Sequence, residues 1–155
     1  MKVTKTFGFD SAHRLMNHSG KCAALHGHRY KLEVTVEGPT NPDTGIVVDF
    51  SDLSKVVKGF VDNFWDHALL VNFVDPLKKA VEAVEEVCLK TNADAFRIFS
   101  FMSDPTAEHM VRYFAEIVWP SIITTELSGV TLSRVRLYET PTSYAEWEKW
   151  EKPNV

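Results

Sequence analysis

Hydrophobic and polar side chains alternate along two segments near the start of the chain, Val3–Asp10 and Tyr30–Glu37. A period of two is typical of a β-strand with one buried face, so both segments are predicted to be strands. Residues 37–45 read EGPTNPDTG and supply the Pro, Asn, Asp and Gly residues of a turn. We therefore expect a hairpin that joins the second strand to residues 47–50.

Two further strands are predicted in the second half of the chain. The aromatic and β-branched stretch FRIFSF, residues 96–101, favours extended backbone. The segment Val130–Tyr138 is also typical of a strand, but its apolar residues change from even to odd positions after Leu132. One extra residue in a strand shifts the alternation in this way, so a bulge is predicted near Ser133-Arg134.

Three segments repeat apolar residues at the spacing of one helix face. The first follows Ser51, a suitable N-cap residue, and has apolar residues at Leu53, Val56, Val57, Phe60, Val61 and Phe64. The second begins at Asp75-Pro76 and is expected to bury Leu77, Ala80, Val81, Val84, Val87 and Cys88. The third begins at Asp104-Pro105 and ends near Pro120, with apolar residues at Met110, Val111, Phe114, Ala115 and Val118.

These elements predict an α+β fold in which a four-stranded antiparallel sheet has helices on one face. A chain of 155 residues is expected to form one domain, 1–155, around one core. The edges of such a sheet must be covered or paired, and closure into a barrel with neighbouring subunits is one solution. A homo-oligomer is therefore expected.

Composition excludes several classes of function. The formal net charge of -4 gives no broad basic surface for nucleic acid phosphates. No segment approaches the ~20 apolar residues that a membrane span needs, and no apolar leader stands at the N-terminus, so a cytoplasmic location is expected. The chain has no glycine-rich nucleotide motif. Its two cysteines, Cys22 and Cys88, are expected to be free thiols.

Three histidines are candidate metal ligands. His26 and His28 extend the second strand backwards at i and i+2, so their side chains lie on the same face. His13 follows the first strand in phase with Phe7 and Phe9, so pairing of the two strands would bring all three imidazoles together. Three imidazoles are typical of catalytic zinc, which keeps one open position. Surface or packing histidines are the alternative.

Cys22 and the Asp66-His67 pair are candidates for proton transfer. Cys22 lies in a predicted loop over the metal, where a nearby cation favours the thiolate form. A fourth zinc ligand and an inert buried thiol are its alternative roles. An aspartate can orient a neighbouring histidine for acid–base work, although structural hydrogen bonding explains an isolated Asp-His pair equally well.

Three residues are candidates for substrate binding. Glu139 ends the last predicted strand, and its carboxylate could accept two parallel hydrogen bonds from an amidine-like pair of N–H groups. Thr106 and Glu108 begin the third helix, where capping and the helix dipole explain both residues without a ligand. A surface glutamate is the alternative for Glu139.

These motifs occur in a specific order along nearly the whole chain. They are F-x-F-x-x-x-His13, Cys22-x-x-x-His26-Gly27-His28, GIVVDF at residues 45–50, Asp66-His67, Pro105-Thr106-x-Glu108 and Glu139-Thr140. In this order they resemble the 6-pyruvoyltetrahydropterin synthase/6-carboxytetrahydropterin synthase family. The resemblance implies the tunnelling (T) fold, in which trimers, or hexamers formed as dimers of trimers, close a barrel with active sites at subunit boundaries.

The resemblance also implies roles for the candidate residues. The Zn²⁺ ligands of the family correspond to His13, His26 and His28. Its proton-transfer residues correspond to Cys22, Asp66 and His67. Its pterin anchor corresponds to Glu139, with Thr106 and Glu108 expected to complete the pocket.

Two activities occur in this family. Three residues separate Cys22 from the HGH motif, which resembles the bacterial 6-carboxytetrahydropterin synthases, lyases of queuosine biosynthesis. The implied reaction converts 7,8-dihydroneopterin triphosphate to 6-carboxy-5,6,7,8-tetrahydropterin and releases acetaldehyde and triphosphate. The alternatives are a 6-pyruvoyl synthase, a zinc- and pterin-binding protein without activity, and a scaffold. The chain departs from the family pattern between residues 68 and 103, where a long extra helix is predicted.

Overall fold

The computed structural model describes residues 1–90 and 97–150, without the side chains of residues 88–90. Its sheet has six strands in the order β4-β3-β1-β2-β5-β6. Their bounds are Lys2–His13 (β1), His26–Glu37 (β2), Leu69–Asn72 (β3), Ile98–Phe101 (β4), Thr131–Thr140 (β5) and Ser143–Glu148 (β6). β1, β2, β5 and β6 pair antiparallel, whereas β3 is parallel to β1 and β4 is parallel to β3. The α+β class is confirmed, but the prediction of four antiparallel strands is wrong.

The extra strands differ from the predicted ones in their burial. All four residues of β3 are buried, so its sequence LLVN has no alternation that would distinguish a strand from a helix segment. In β6, Trp147 packs against the core, whereas Tyr144 is half exposed and Trp150 beyond the strand is exposed. The sequence therefore predicted β1, β2, β4 and β5 and missed β3 and β6.

The predicted hairpin after β2 is wrong. β1 and β2 pair with each other along their whole length, and the second neighbour of β2 is β5. Val47 and Val48 form bends that lead into the first helix, α1 (Phe50–Phe60). The N-cap of α1 is Asp49 and not Ser51, because the Asp49 carboxylate accepts a hydrogen bond from the Ser51 backbone N–H at 2.7 Å.

A π-helical turn, Val61–Trp65, follows α1 and changes which side chains face the core. Leu53, Val57 and Val61 are buried as predicted. The wider turn then moves the buried position by one residue. Trp65 is therefore fully buried, whereas Phe64, predicted to be buried, is 50% exposed.

The second helix, α2 (Pro76–Lys90), begins where the sequence predicted but does not bury the expected face. Leu77 and Val81 are partly buried, and Ala80, Val84 and Val87 are exposed. The physical reason is that α2 connects β3 to β4 at one edge of the sheet, outside the main layer of helices. The prediction for Cys88 concerns a side chain outside the described part of the chain.

The third helix, α3 (Ala107–Tyr113), begins after its N-cap Thr106, later than predicted. It continues through a second π-helical turn, Phe114–Val118, into α4 (Trp119–Ile122). Pro120 lies in the first turn of α4, where a missing N–H is tolerated, so the helical segment does not end there. The five predicted core residues of this segment are all buried.

The core lies between the sheet and the layer formed by α1, α3 and α4. On the sheet side it contains alternate residues of β1 and β2, including Phe7, Phe9, Tyr30 and Leu32. The bulge predicted in β5 is confirmed, because Thr35 pairs with Arg134 and Val36 with Leu132, which leaves Ser133 as the extra residue. No helix in residues 1–90 and 97–150 is long and apolar enough to span a membrane.

Trp65→Ala is expected to lower the free energy of unfolding by about 3–5 kcal/mol, because it removes a fully buried indole from the core. Phe64→Ala is the matched control and is expected to cost less than about 1 kcal/mol, because half of its ring is exposed. Urea denaturation at equal protein concentration measures both values. A larger loss for Phe64→Ala than for Trp65→Ala would contradict the burial of Trp65 in place of Phe64.

Candidate metal centre and substrate cavity

The pairing of β1 with β2 brings the three predicted metal ligands together. His13 is the last residue of β1 and pairs with His26, the first residue of β2. His28 lies on the same face of β2, two residues further on. The three imidazoles offer ring nitrogens that all lie within 4.8 Å of one another, and Nε2 of His13 is 3.1 Å from Nε2 of His26. The sequence-based prediction that these three residues converge is confirmed.

Backbone carbonyl groups fix the orientation of two of these rings. Nδ1 of His13 donates to the carbonyl oxygen of Pro105 at 3.0 Å, and Nδ1 of His26 donates to the carbonyl oxygen of Ala24 at 2.8 Å. A carbonyl oxygen only accepts, so the proton lies on Nδ1 and the Nε2 lone pair is free in both neutral rings. Histidines that bind a metal through one ring nitrogen typically donate such a hydrogen bond from the other.

Burial, and secondarily the neighbouring rings of His26 and His28, lower the pKa of the His13 imidazole to about 4, although the hydrogen bond to Pro105 opposes this shift, so His13 is neutral at neutral pH. Burial, and secondly the charge of His26, also lower the pKa of His28. Neutral imidazoles are the form that binds a metal ion. The lowered pKa values of His13 and His28 thus favour the form of these two rings that binds a cation.

The donor set fits a divalent transition metal. Zn–N bonds of 2.0–2.1 Å in a tetrahedral site place two ligand nitrogens about 3.3–3.4 Å apart, close to the 3.1 Å between His13 and His26. Among the described residues, neither Cys22 nor a carboxylate belongs to the group. The arrangement of three protein ligands leaves room for a further ligand, as in catalytic sites.

Glu139 joins the histidine cluster to a cavity of about 340 Å³. Its Oε1 lies 4.0 Å from Nε2 of His13. The same cavity is lined by Thr106 and Glu108, so the three predicted substrate-binding residues do lie together. Burial and the negative charge of Glu108 raise the pKa of Glu139. A ligand that donates hydrogen bonds to this carboxylate would favour its ionised form.

Tyr30 lies beneath the cluster and was not singled out by the sequence. Its ring meets those of His13 and His28 edge to face, with centroids 5.9 and 5.5 Å apart. The side chain is fully buried, and its hydroxyl has no hydrogen-bond partner in the described part of the chain. Burial, and secondly the charge of Glu139, raise the pKa of Tyr30. The phenol therefore stays neutral and offers an uncommitted O–H group.

The Asp66-His67 pair forms as predicted. Nδ1 of His67 donates to Oδ2 of Asp66 at 2.8 Å, and Oδ1 of Asp66 accepts from the Asp10 backbone N–H at 3.0 Å. Burial opposes ionisation of Asp66, but these hydrogen bonds and the charge of His67 outweigh it and lower the pKa. His67 has a left-handed φ of 55°, held by a bond from its N–H to the Asp10 carbonyl oxygen. Asp66 thus holds His67 in one orientation.

The pair opens onto a different cavity from Glu139. His67 lines a larger cavity of about 590 Å³ with His28, Leu25 and Arg97. Cys22 lies in a short 3₁₀ turn, Lys21–Ala23, and its thiol makes no hydrogen bond within residues 1–90 and 97–150. Within one chain, Cys22 and the Asp66-His67 pair therefore do not form one hydrogen-bonded unit.

An ion pair that the sequence did not indicate anchors the loop that carries Cys22. Arg14 donates two hydrogen bonds to Asp75, at 2.7 and 2.8 Å, and the Asp75 side chain is fully buried. Further along the loop, the Asn17 backbone N–H donates to Asp104 at 3.0 Å. Asp75 directly precedes α2, so the extra helix and the cysteine loop are held together. The partners are far apart in sequence, which left no local signal.

Comparison with known proteins identifies the family. The family model of 6-pyruvoyl tetrahydropterin synthase matches residues 2–149. The chain belongs to this family. A relative from Haemophilus influenzae named 6-carboxy-5,6,7,8-tetrahydropterin synthase is 34% identical, with 96% of this chain and 99% of the relative covered. A relative of the same name from Rickettsia bellii is 31% identical over 94% of this chain and 99% of its own.

Solved structures show the same fold. An uncharacterized protein of Wolinella succinogenes superposes with a TM-score of 0.77 and 22% identity, covering 97% of this chain and 98% of its own. The 6-pyruvoyl tetrahydropterin synthase of Caenorhabditis elegans gives a TM-score of 0.65 and 21% identity, covering 97% and 96%. At these identities the likeness concerns the fold alone. The resemblance noted in the sequence motifs is thus confirmed at the level of family and fold.

The purified protein is expected to contain about one divalent metal ion per chain, because the described residues offer one group of three imidazoles. His26→Ala removes a ligand and is expected to reduce bound metal to background. His109→Ala is the matched control, since His109 lies outside the group and contacts Ser103 and Asp104 instead. Inductively coupled plasma mass spectrometry after gel filtration measures all three. Equal metal in wild type and His26→Ala would contradict the site.

Proposed function

We propose that this chain is a zinc-dependent 6-carboxy-5,6,7,8-tetrahydropterin synthase that acts on 7,8-dihydroneopterin triphosphate and serves queuosine biosynthesis in the cytoplasm. The observation with most weight is the convergence of three imidazoles beside Glu139 and its cavity. The names of relatives at 31% and 34% identity, over nearly the whole chain, support the choice of reaction.

His13, His26 and His28 would hold Zn²⁺, which when bound supplies Lewis acidity toward the side-chain hydroxyl groups of the substrate. The three residues are suited to this role because two of them already present a free Nε2 lone pair. The rings need little reorientation when the ion arrives. The three histidines would thus determine where a bound ion could act on the substrate side chain.

Glu139 would anchor the pterin ring. Its carboxylate can accept from the 2-amino group and the adjacent ring N–H, which form a parallel pair of donors. The distance of 4.0 Å between Glu139 Oε1 and His13 Nε2 sets the ring and the metal group side by side. This fixed geometry would lower the entropy cost of the reaction. Thr106 and Glu108 line the same cavity and would complete the pocket.

Cys22 would act as the base, and His67, oriented by Asp66, would relay protons. In a single chain the Cys22 thiol and His67 are not hydrogen-bonded to each other. We therefore propose that the protein works as a homo-oligomer, a trimer or a dimer of trimers, in which one copy provides Cys22 and its neighbour the Asp66-His67 pair. The exposed position of His67 on the larger cavity supports this arrangement.

Incubation with 7,8-dihydroneopterin triphosphate is expected to yield 6-carboxytetrahydropterin, acetaldehyde and triphosphate. Liquid chromatography with mass spectrometry identifies the pterin, and a coupled dehydrogenase assay quantifies acetaldehyde. The expected ratio of acetaldehyde to pterin product is about one, because one C–C bond breaks per turnover. A 6-pyruvoyl product without acetaldehyde would assign the chain to the alternative reaction of its family.

Cys22→Ala is expected to lower kcat by about 10²–10⁴-fold, because it removes the base from the reaction. Bound metal and pterin affinity should stay at the wild-type level, since the thiol belongs neither to the histidine group nor to the Glu139 cavity. Ser19→Ala, on the same loop, is the matched control and should retain activity. Wild-type kcat in Cys22→Ala would instead favour another base, and no turnover by either protein would favour a binding function.

A further inference from the structure

His18 is a histidine to which the proposed reaction assigns no role, yet it lines the cavity of Glu139. The cavity wall also includes Leu15, Thr106, Glu108 and Tyr144. Glu139 and Glu108 offer oxygen acceptors there. His18 contributes the imidazole of this cavity, and it comes from the loop between β1 and β2 rather than from the sheet.

Three contacts hold His18 in place. Its backbone N–H donates to the Leu15 carbonyl oxygen at 3.0 Å, and the preceding residue, Asn17, is bound to Asp104. Nδ1 of the ring accepts a hydrogen bond from the Gly20 N–H at 2.8 Å. A backbone N–H only donates, so Nδ1 is unprotonated and the neutral ring has its proton on Nε2. The ring thus presents an N–H donor that the Gly20 contact leaves uncommitted.

The absence of a side chain at Gly20 makes this position possible. A Cβ at Gly20 would lie 2.9 Å from Cε1 and 3.2 Å from Nδ1 of His18, closer than side chains pack. The backbone of Gly20 is extended, with φ of -110°, which any residue can adopt. Gly20 is therefore needed for the place of the imidazole and not for the backbone conformation.

We propose that His18 is a substrate-binding residue that donates a hydrogen bond from Nε2 to an acceptor atom of the heterocycle held by Glu139. This inference rests on the proposed function. The N–H donors of a pterin lie next to its ring carbonyl oxygen. A carboxylate can accept from the N–H groups, but it leaves the carbonyl oxygen without a hydrogen-bond donor. A second residue that lines the same cavity and donates a hydrogen bond to this acceptor would complete the recognition and disfavour heterocycles that lack the carbonyl group.

Neopterin, added alone and followed by its fluorescence, tests this role by direct binding. His18→Ala and His18→Phe are both expected to raise the Kd for neopterin about three- to ten-fold, the loss of one neutral hydrogen bond. His18→Gln retains an N–H donor and should bind within about two-fold of wild type. Asn17→Ala is the matched control, because the observed contact of Asn17 is made by its backbone. Bound metal should be equal in all variants.

Gly20→Ala provides the second arm, since it displaces the His18 ring without removing it. It should weaken neopterin binding as His18→Ala does, and the double variant should bind no more weakly than His18→Ala. Wild-type Kd values in both His18→Ala and His18→Phe, or fully additive losses in the double variant, would overturn the role of His18. Failure of the wild-type protein to bind neopterin would contradict the proposed function itself, which separates the two conclusions.

Discussion

The register of β1 against β2 is the constraint on which the rest of the structure depends. The two strands pair without interruption from Lys2 and Glu37 to His13 and His26. Side chains alternate between the faces, so the same register that buries Phe7 and Phe9 also turns His13 toward its partners. A slip of one residue would move both the apolar residues and the histidines to the wrong face. The free energy of burying the core therefore also holds the metal ligands in place.

The ends of these strands need support from other parts of the chain. The Pro105 carbonyl group, which precedes α3, fixes the ring of His13, and the Ala24 carbonyl group fixes that of His26. Directly after His13, Arg14 binds the buried Asp75. A buried carboxylate is costly without a partner, so this pair ties the cysteine loop to the start of α2. The additional segment of this chain thus contributes to the site through an ion pair rather than through a ligand.

Sequence reasoning succeeded where a local pattern has a single structural meaning. The alternation in β1, β2 and β5 and the i, i+2 spacing of His26 and His28 are of this kind. It failed where the pattern depends on distant partners. The apolar residues of α2 do repeat at the spacing of one helix face, but the local sequence does not indicate whether another element covers that face. In the π-helical turn the backbone makes i→i+5 rather than i→i+4 hydrogen bonds, and the side chains give no local signal for this change. Trp65 is buried there, whereas Phe64 is half exposed. The parallel strand β3 is buried on both faces and has no alternation.

The bulge at Ser133 links the core of the sheet to the substrate cavity. Before it, Leu132 faces the core opposite Val36; after it, odd-numbered residues face the core. The register of Lys31 with Tyr138, continued by one residue, sets Glu139 opposite Tyr30 and on the side of the histidines. If the same residues alternated regularly from Leu132, without a bulge, Glu139 would point to the opposite, charged face of the sheet. Because the bulge places this carboxylate 4.0 Å from His13, a cation on the imidazoles would oppose the burial and the Glu108 charge that raise its pKa. Glu139 would therefore couple metal binding to the recognition of N–H donors, because a bound cation would favour the ionised carboxylate that accepts from them.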